Sequence, residues 1–570
     1  MGPARLANQD DESAKIPHIF EELLRKRGVV GEETIRRFLY PRLSDLRQPQ
    51  AMKNLPEAVG LVIHYLSSGK QIVVWGDYDV DGTTGTSLLV NFFRELGVEV
   101  LWHIPNRLTE GYGLNTDWFI ARKRIDLSDD FLLITVDCGI SNAQQIDFIQ
   151  RIGGTVLVTD HHSIPKHGLP ACLILNPAQL SCGFHKEQLA GVGVVFYLVS
   201  GIRAEYFARF SPETSPPKVN LKKYLAFVAL GTIADVVDLT PTNRILVRAG
   251  LEALAEPSFP GLQELLLSCD ICTGDLTSED IGYLIGPKIN AAGRLGESDL
   301  VVRLLTARNR KEAKVLIPKL TQLNELRRTI SADNLETALS LVDNWLIKTY
   351  KSIIVKGELH QGVAGIVAAR LVELYGVPSI VFATKIMSDG SASFVGSARS
   401  IEGIHILEMI DACSTWVDRY GGHEMAAGLS VSQEKMAGFE SAFAEVAQKF
   451  WEKRSPPAKK RFDVECSVEQ LMTADHISFF QLLEPFGPGN LQPIFCDNAV
   501  RIVDSRTVGK DSEHLQLTIR GKYSNLKGIG FSLGGRIDEI QKVPHRSMLF
   551  VPTLNRFRGN VSWQVRVIDV

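Results

Sequence analysis

Four short apolar runs constrain the fold most: QIVVWGD (71–77), FLLITVD (131–137), TVLVTD (155–160) and CLILN (172–176), with helical segments between them. Continuous β-branched runs of this length, alternating with helices, predict the buried strands of a parallel sheet in an α/β domain. Three of the four end in aspartate, at Asp77, Asp137 and Asp160. In a parallel sheet these ends share one edge, where open α/β domains place their ligands.

Ligand-type residues are dense around those ends. Asp77, Asp79 and Asp81 alternate in GDYDVDG, and Asp160 is followed by His161 and His162. Alternation in an extended segment sends side chains to one side, and carboxylates so crowded repel one another unless cations neutralise them. Oxygen ligands with one or two imidazoles suit Mn²⁺ or Mg²⁺. Two ions about 4 Å apart would activate a water and stabilise both oxygens of an in-line phosphoryl displacement. A calcium loop of the EF-hand type also opens D-x-D-x-D-G, but it needs a preceding helix and a Glu at its twelfth position. Here an apolar run precedes, and that position is Leu88. Cys269 and Cys272 have zinc-ligand spacing without a second pair of ligands, so a zinc site is not expected.

The chain has 570 residues, more than one hydrophobic core usually fills, so several units of roughly 100 to 200 residues are expected. A helical lead-in is expected over 1–50 and the acid-bearing α/β domain over 51–300. A glycine-free stretch rich in Leu, Ala, Glu, Lys and Arg predicts a connecting helix over 301–350. SIIVKG and PSIVFAT announce a second, smaller α/β unit over 351–452, followed by a basic, proline-broken linker at 453–462. Alternating short strands from 463 to 570 predict a small β-barrel of OB-fold type, with Phe557 a candidate for stacking on a nucleic-acid base. The longest apolar stretch, near Gly191 to Ile202, is short for a bilayer, and the start carries no apolar signal core, so a cytoplasmic location with no membrane association is expected. The net charge of −3 excludes only a wholly basic nucleic-acid binder, since acids gathered in a metal site mask basic surfaces elsewhere.

GDYDVDG, VDCGIS (136–141), DHH (160–162) and GTIADVV (231–237) resemble, in order and spacing, the four metal motifs of the DHH phosphoesterase family. IPNRLTEGYGLN (104–115), LAGVGV (189–194), PKINAAGRLG (287–296), GGHEMAAG (421–428) and EPFGPGN (484–490) resemble its RecJ exonuclease branch more specifically. The resemblance implies a DHH domain, a DHH-associated domain that holds substrate phosphates, and an OB-fold that adds a track for single-stranded DNA. It implies metal ligation by Asp79, Asp81, Asp137, His161 and Asp235, with Asp77 and Asp160 in or just behind the ligand shell. His162 would sit beside the scissile phosphate, with Asp137 and Asp160 as its catalytic companions. Phosphate contacts would fall to Arg107, Asn290, Arg294, Arg399 and the Gly421-Gly422-His423 segment, read as backbone N–H groups before a helix. Lys288 stands where the RecJ motif usually has Arg, which leaves the phosphate geometry there open.

The activity so implied is metal-dependent 5′ to 3′ hydrolysis of single-stranded DNA to mononucleotides, in recombination and repair, with a helicase and a single-strand-binding protein as partners. Two alternatives stand beside it. One is a DHH phosphodiesterase of short oligonucleotides or cyclic dinucleotides; the other is a non-catalytic replication scaffold that keeps the fold without its ligands.

Overall fold

A computed structural model of the chain describes residues 15–165, 168–209, 219–271, 274, 276–386, 392–454, 461–522, 524–543, 545–557 and 560–570. The four apolar runs form strands β1 (Gln71–Gly76), β3 (Phe131–Val136), β4 (Gly154–Thr159) and β5 (Leu173–Leu175), and a short β2 (Leu101–His103) joins them outside β1. The order is β2-β1-β3-β4-β5, parallel throughout, with Gly76 opposite Val136, and Val136 opposite Thr159. Alternate residues face opposite sides, as a pleated strand requires. Ile72, Val74, Leu132 and Ile134 enter one core, while Val73, Trp75, Phe131 and Leu133 enter the other. This register brings the residues after β1, β3 and β4, namely Asp77, Asp137 and Asp160, to one sheet edge.

The first core is completed by helices Val80–Glu95, Gly191–Arg209 and Leu225–Ala234. Gly191–Arg209 is longer than its apolar run suggested and is apolar enough by length and composition to cross a membrane. Its residues from Gly191 to Val199 are nevertheless all buried within this core.

The expected connecting helix is divided. Asp299–Leu305 ends before Asn309, whose side chain accepts from Glu312 N at 3.0 Å and so caps a new 32-residue helix, Arg310–Leu341; Asn344–Tyr350 follows. The second unit is a mixed sheet rather than a parallel one. Strands β6 (Ile353–Gly357) and β7 (Ser379–Ile386) are parallel, whereas β8 (Ala392–Arg399), β9 (Arg419–Gly422) and β10 (Ala426–Ser432) add antiparallel, in the order β6-β7-β8-β10-β9. Gly421 and Gly422 therefore lie in an edge strand that turns into β10, and no helix begins at His423. Two glycines followed by a polar residue read equally as a helix start or a hairpin, and pairing with β10 decides for the hairpin.

The C-terminal strands β11 (Val464–Glu465), β12 (Phe495–Val508), β13 (His514–Ile519), β14 (Leu526–Gly530), β15 (His545–Phe557) and β16 (Asn560–Asp569) run in the order β11-β12-β13-β14-β16-β15. Pairing of β12 with β15 closes five of them into a barrel. Most of the basic linker, residues 455–460, and the side chain of Phe557 lie outside the described residues, as does Cys272.

The N-terminal helices His18–Lys26 and Glu32–Leu39 pack into the barrel core, where Phe20 stacks on Phe479 with ring centroids 4.6 Å apart. Arg244, on helix Pro241–Ala255 of the first unit, is 3% exposed and donates to the carbonyls of Phe38, Leu482, Leu483 and Pro485 at 2.9 to 3.3 Å. One guanidinium thus ties the lead-in, the α/β domain and the neck of the barrel together.

Candidate metal centre and the neighbouring arginines

Each acid at the sheet edge is positioned by backbone that its neighbours supply. Asp79 caps helix Val80–Glu95, its Oδ1 accepting from Gly82 N at 3.0 Å. Asp81 lies in the first turn of that helix, and its two oxygens accept from Gly191 N at 2.6 Å and Val192 N at 2.8 Å. Asp137 follows β3 with φ 60, a left-handed conformation that a non-glycine residue adopts at a cost of order 1 kcal/mol or more. Asp235 sits at the C-cap of helix Leu225–Ala234, and Val236 beside it is also left-handed, at φ 59, although β-branched.

These residues converge on His161. Its Nε2 lies 3.1 Å from Asp137 Oδ1, 3.5 Å from Asp235 Oδ2 and 3.8 Å from Asp81 Oδ2. Asp77, Asp79 and Asp137 offer oxygens that also lie within 4.8 Å of one another. A single imidazole proton would serve only one of three surrounding oxygens, whereas divalent cations would serve all of them. Two observations fit a cation-holding role. Asp77 Oδ1 and Asp137 Oδ1 are buried without a hydrogen-bond donor, which natural proteins rarely tolerate. Burial, reinforced by neighbouring carboxylates, also holds Asp77 and Asp137 well above the ordinary carboxylate range and raises Asp81 to about 7 and Asp235 to about 8. Burial lowers His161 to about 4, which keeps it neutral with a lone pair to give. Hard oxygens with one neutral imidazole are the donor set of Mn²⁺ or Mg²⁺.

Asp160 behaves differently. Its Oδ1 accepts from His161 N at 2.7 Å, His162 N at 3.0 Å and the His162 ring Nδ1 at 2.8 Å, and its Oδ2 accepts from Ile140 N at 2.9 Å. Burial would raise this carboxyl, but those donors hold it below its usual value. Asp160 thus spends its oxygens on neighbouring donors, a geometry suited to orienting the His162 ring. Burial would likewise lower His162, and Asp160 overrides it, raising the ring to about 9. His162 is half exposed, and with Nδ1 engaged it has Nε2 left for a substrate oxygen.

Beside the acids lie three arginines that, among the described residues, form no ion pair: Arg107, Arg294 and Arg399. Arg107 stacks over Tyr78 at 5.1 Å, close enough for its charge to act on Asp77. Arg294 ends helix Gly286–Arg294 and donates to Gly362 O at 3.1 Å, bridging the first unit to the second. Burial and the nearby Arg107 and Arg399 lower Arg294 to about 10. Asn290 is half-buried one turn earlier, on the same face of that helix. His423 is brought near Arg399 by the pairing of β8 with β10, and burial together with that charge lowers its pKa. Half-buried guanidinium groups without counter-ions offer the paired donors that a phosphate accepts.

Comparison with known proteins agrees with this geometry. Residues 71–232 match the DHH family N-terminal domain, 348–450 the DHHA1 domain and 462–569 the RecJ OB domain. The single-stranded-DNA-specific exonuclease RecJ of Haemophilus influenzae is 34% identical over 566 residues, covering 96% of this chain and 95% of that protein. This chain belongs to the RecJ family. RecJ of Escherichia coli is 32% identical, covering 98% of this chain and 96% of its own. The crystal structure of Thermus thermophilus RecJ in complex with Mn²⁺ superposes with a TM-score of 0.76 at 28% identity, over 98% of this chain and 78% of that one.

Several residues shape the site without offering a ligand atom. Gly191 and Gly231 admit the carboxylates: a Cβ at Gly191 would lie 2.7 Å from Asp137 Cβ, and one at Gly231 would lie 2.6 Å from Asp81 Oδ1. Both lie in quoted motifs, LAGVGV and GTIADVV, but nothing along the chain marks them as the points where the carboxylates need room. Lys288 does not face the arginines. It is buried and donates to Ser268 O at 2.7 Å and Ser268 Oγ at 2.9 Å, so its replacement of Arg bears on packing rather than on phosphate geometry.

Proposed function

We propose that this chain hydrolyses single-stranded DNA from its 5′ end, releasing mononucleotides, with Asp77, Asp79, Asp81, Asp137, His161 and Asp235 holding two divalent cations. The observation that carries the reading is the adjacency of donor-free buried carboxylate oxygens and arginines without counter-ions. Cations bound there supply Lewis acidity and neutralise charge that develops on the phosphate oxygens. The residues of the chain do the rest. Arg107, Arg294 and Arg399 hold phosphates in register with the acids. Asp160 fixes the His162 ring through Nδ1, leaving Nε2 to hydrogen-bond the scissile phosphate or pass a proton to the leaving oxygen. Asn290, Gly421, Gly422 and His423 extend the contact to neighbouring nucleotides, and the barrel receives the trailing strand. A role in recombination and repair, and cooperation with a helicase and a single-strand-binding protein, follow from the same reading.

The test uses 5′- or 3′-labelled single-stranded and duplex oligonucleotides with Mn²⁺, for the wild type and Asp137→Ala. Release of the 5′ label as a mononucleotide, from single strands and with Asp137 intact, is the expected result. Cleavage of dinucleotides with long strands spared would move the chain to the small-substrate phosphodiesterases. No cleavage and no Mn²⁺ binding would make it a scaffold.

A further inference from the structure

Arg107 is carried on a turn whose conformation is set almost entirely by one residue, Asn106. The Asn106 carbonyl accepts from Glu110 N at 2.7 Å and from Thr109 N and Gly111 N at 3.2 Å. Its side-chain Oδ1 accepts from Leu108 N at 2.9 Å and Thr109 N at 3.3 Å. Its backbone N donates to Glu110 Oε1 at 2.9 Å, and the other Glu110 oxygen meets His103 Nε2 at 2.9 Å, at the end of β2. The remaining donor, Nδ2, leaves the turn and reaches Gly296 O at 2.9 Å, two residues beyond Arg294.

The Gly296 side of this contact is equally constrained. Gly296 has φ +76, and a Cβ there would lie 2.9 Å from both Asn106 Nδ2 and Oδ1. One turn earlier, a Cβ at Gly293 would lie 2.4 Å from Tyr78 O, in the loop that carries Asp77 and Asp79. The turn bearing Arg107, the helix end bearing Arg294 and the acidic loop are therefore locked to one another, and Asn106 is the hydrogen-bonded joint.

We propose that Asn106, braced by Glu110 and His103, is a positioning residue that sets the spacing of Arg107 and Arg294 over the metal centre. It rests on the reading of those arginines as phosphate-holding groups and adds what holds them in register. Asn106 and Glu110 spend their polar atoms on the protein, so they act through Arg107 rather than on substrate.

The test is a double-mutant cycle on the full chain, with KM and kcat measured on a single-stranded oligonucleotide in Mn²⁺. Binding of the same oligonucleotide is followed by fluorescence anisotropy in Ca²⁺. Asn106→Ala is expected to raise KM and weaken binding roughly tenfold while kcat stays within about threefold, because a misplaced clamp costs orientation and leaves the cluster intact. Mn²⁺ affinity without DNA should not change. Asn106→Ala/Arg107→Ala should be no worse than Arg107→Ala alone, within about twofold, since without Arg107 there is no Arg107–Arg294 spacing left to set. Glu110→Ala should follow Asn106→Ala, and Glu110→Gln, which keeps an acceptor for Asn106 N, should recover most of the affinity. This second pair carries the test if Asn106→Ala does not fold. Independent, multiplicative losses in the double mutant, or failure of Glu110→Gln to recover, would overturn the positioning role while the activity stands. A wild-type chain that neither binds nor cuts the oligonucleotide would overturn the functional reading and the positioning role together.

Discussion

Replacing Arg244 by methionine tests whether the three parts of the chain are joined at one guanidinium. The side chain donates four hydrogen bonds to carbonyls of Phe38, Leu482, Leu483 and Pro485 and stacks over the Phe38 ring at 4.0 Å. Bonds from a charged donor are worth about 1.5 kcal/mol each, roughly 6 in all. The desolvation of a cation with no carboxylate partner offsets about half of that; its sign is that burial pushes Arg244 down to about 9. A loss of about 3 kcal/mol remains, concentrated in the contact between the barrel with its N-terminal helices and the α/β core. For a unit of this size it corresponds to roughly 6 to 12 °C. Calorimetry of Arg244→Met should show the barrel unit melting earlier by that amount, with limited proteolysis cutting around residues 484–490 first. Mn²⁺ should still raise the later transition, since the metal-site acids are elsewhere. A single transition within about 2 °C of the wild type would refute the reasoning, because four stranded carbonyls cannot go unnoticed.

Gly82→Ala should lower turnover by at least about a hundredfold and weaken Mn²⁺ binding by calorimetric titration; its Cβ would lie 2.5 Å from Asp77 O and 2.6 Å from Asp77 N, backbone atoms that cannot swing away. Asp160→Ala leaves three N–H groups and the His162 ring without their acceptor, so Mn²⁺ affinity should fall by about 10- to 100-fold; unchanged affinity would remove its orienting role. Glu484 is half-buried, bonded to Ser278 Oγ and Phe486 N, and loss of solvent around its carboxyl raises it to about 7. A carboxyl whose folded pKa lies above its unfolded one keeps its proton on folding, so its contribution is full below about 4.5, declines as pH rises and is lost above about 7. It amounts to about 3 kcal/mol, and urea denaturation of Glu484→Gln across pH 4.5 to 7 should show that slope flattened.

What the sequence by itself determined was whatever depends on neighbours along the chain. Continuous apolar, β-branched runs specify β1, β3, β4 and β5, and the acids after three of them are carried to one edge by the rule that parallel strands end together. The runs that carried the family resemblance likewise mark Arg107 and Arg294, and the fold brings both close to Arg399. What only the tertiary structure decided is non-local. The donors that hold Asp81 come from Gly191 and Val192, more than a hundred positions away, and helix His18–Lys26 buries its apolar face in a barrel that begins at Val464. The Gly421-Gly422 segment became an edge strand because β10 was there to pair with it, and Lys288 turned to Ser268 because that carbonyl lay within reach. A backbone N–H or carbonyl carries no residue-type signature, so which one meets a given side chain is settled only when the chain folds back on itself.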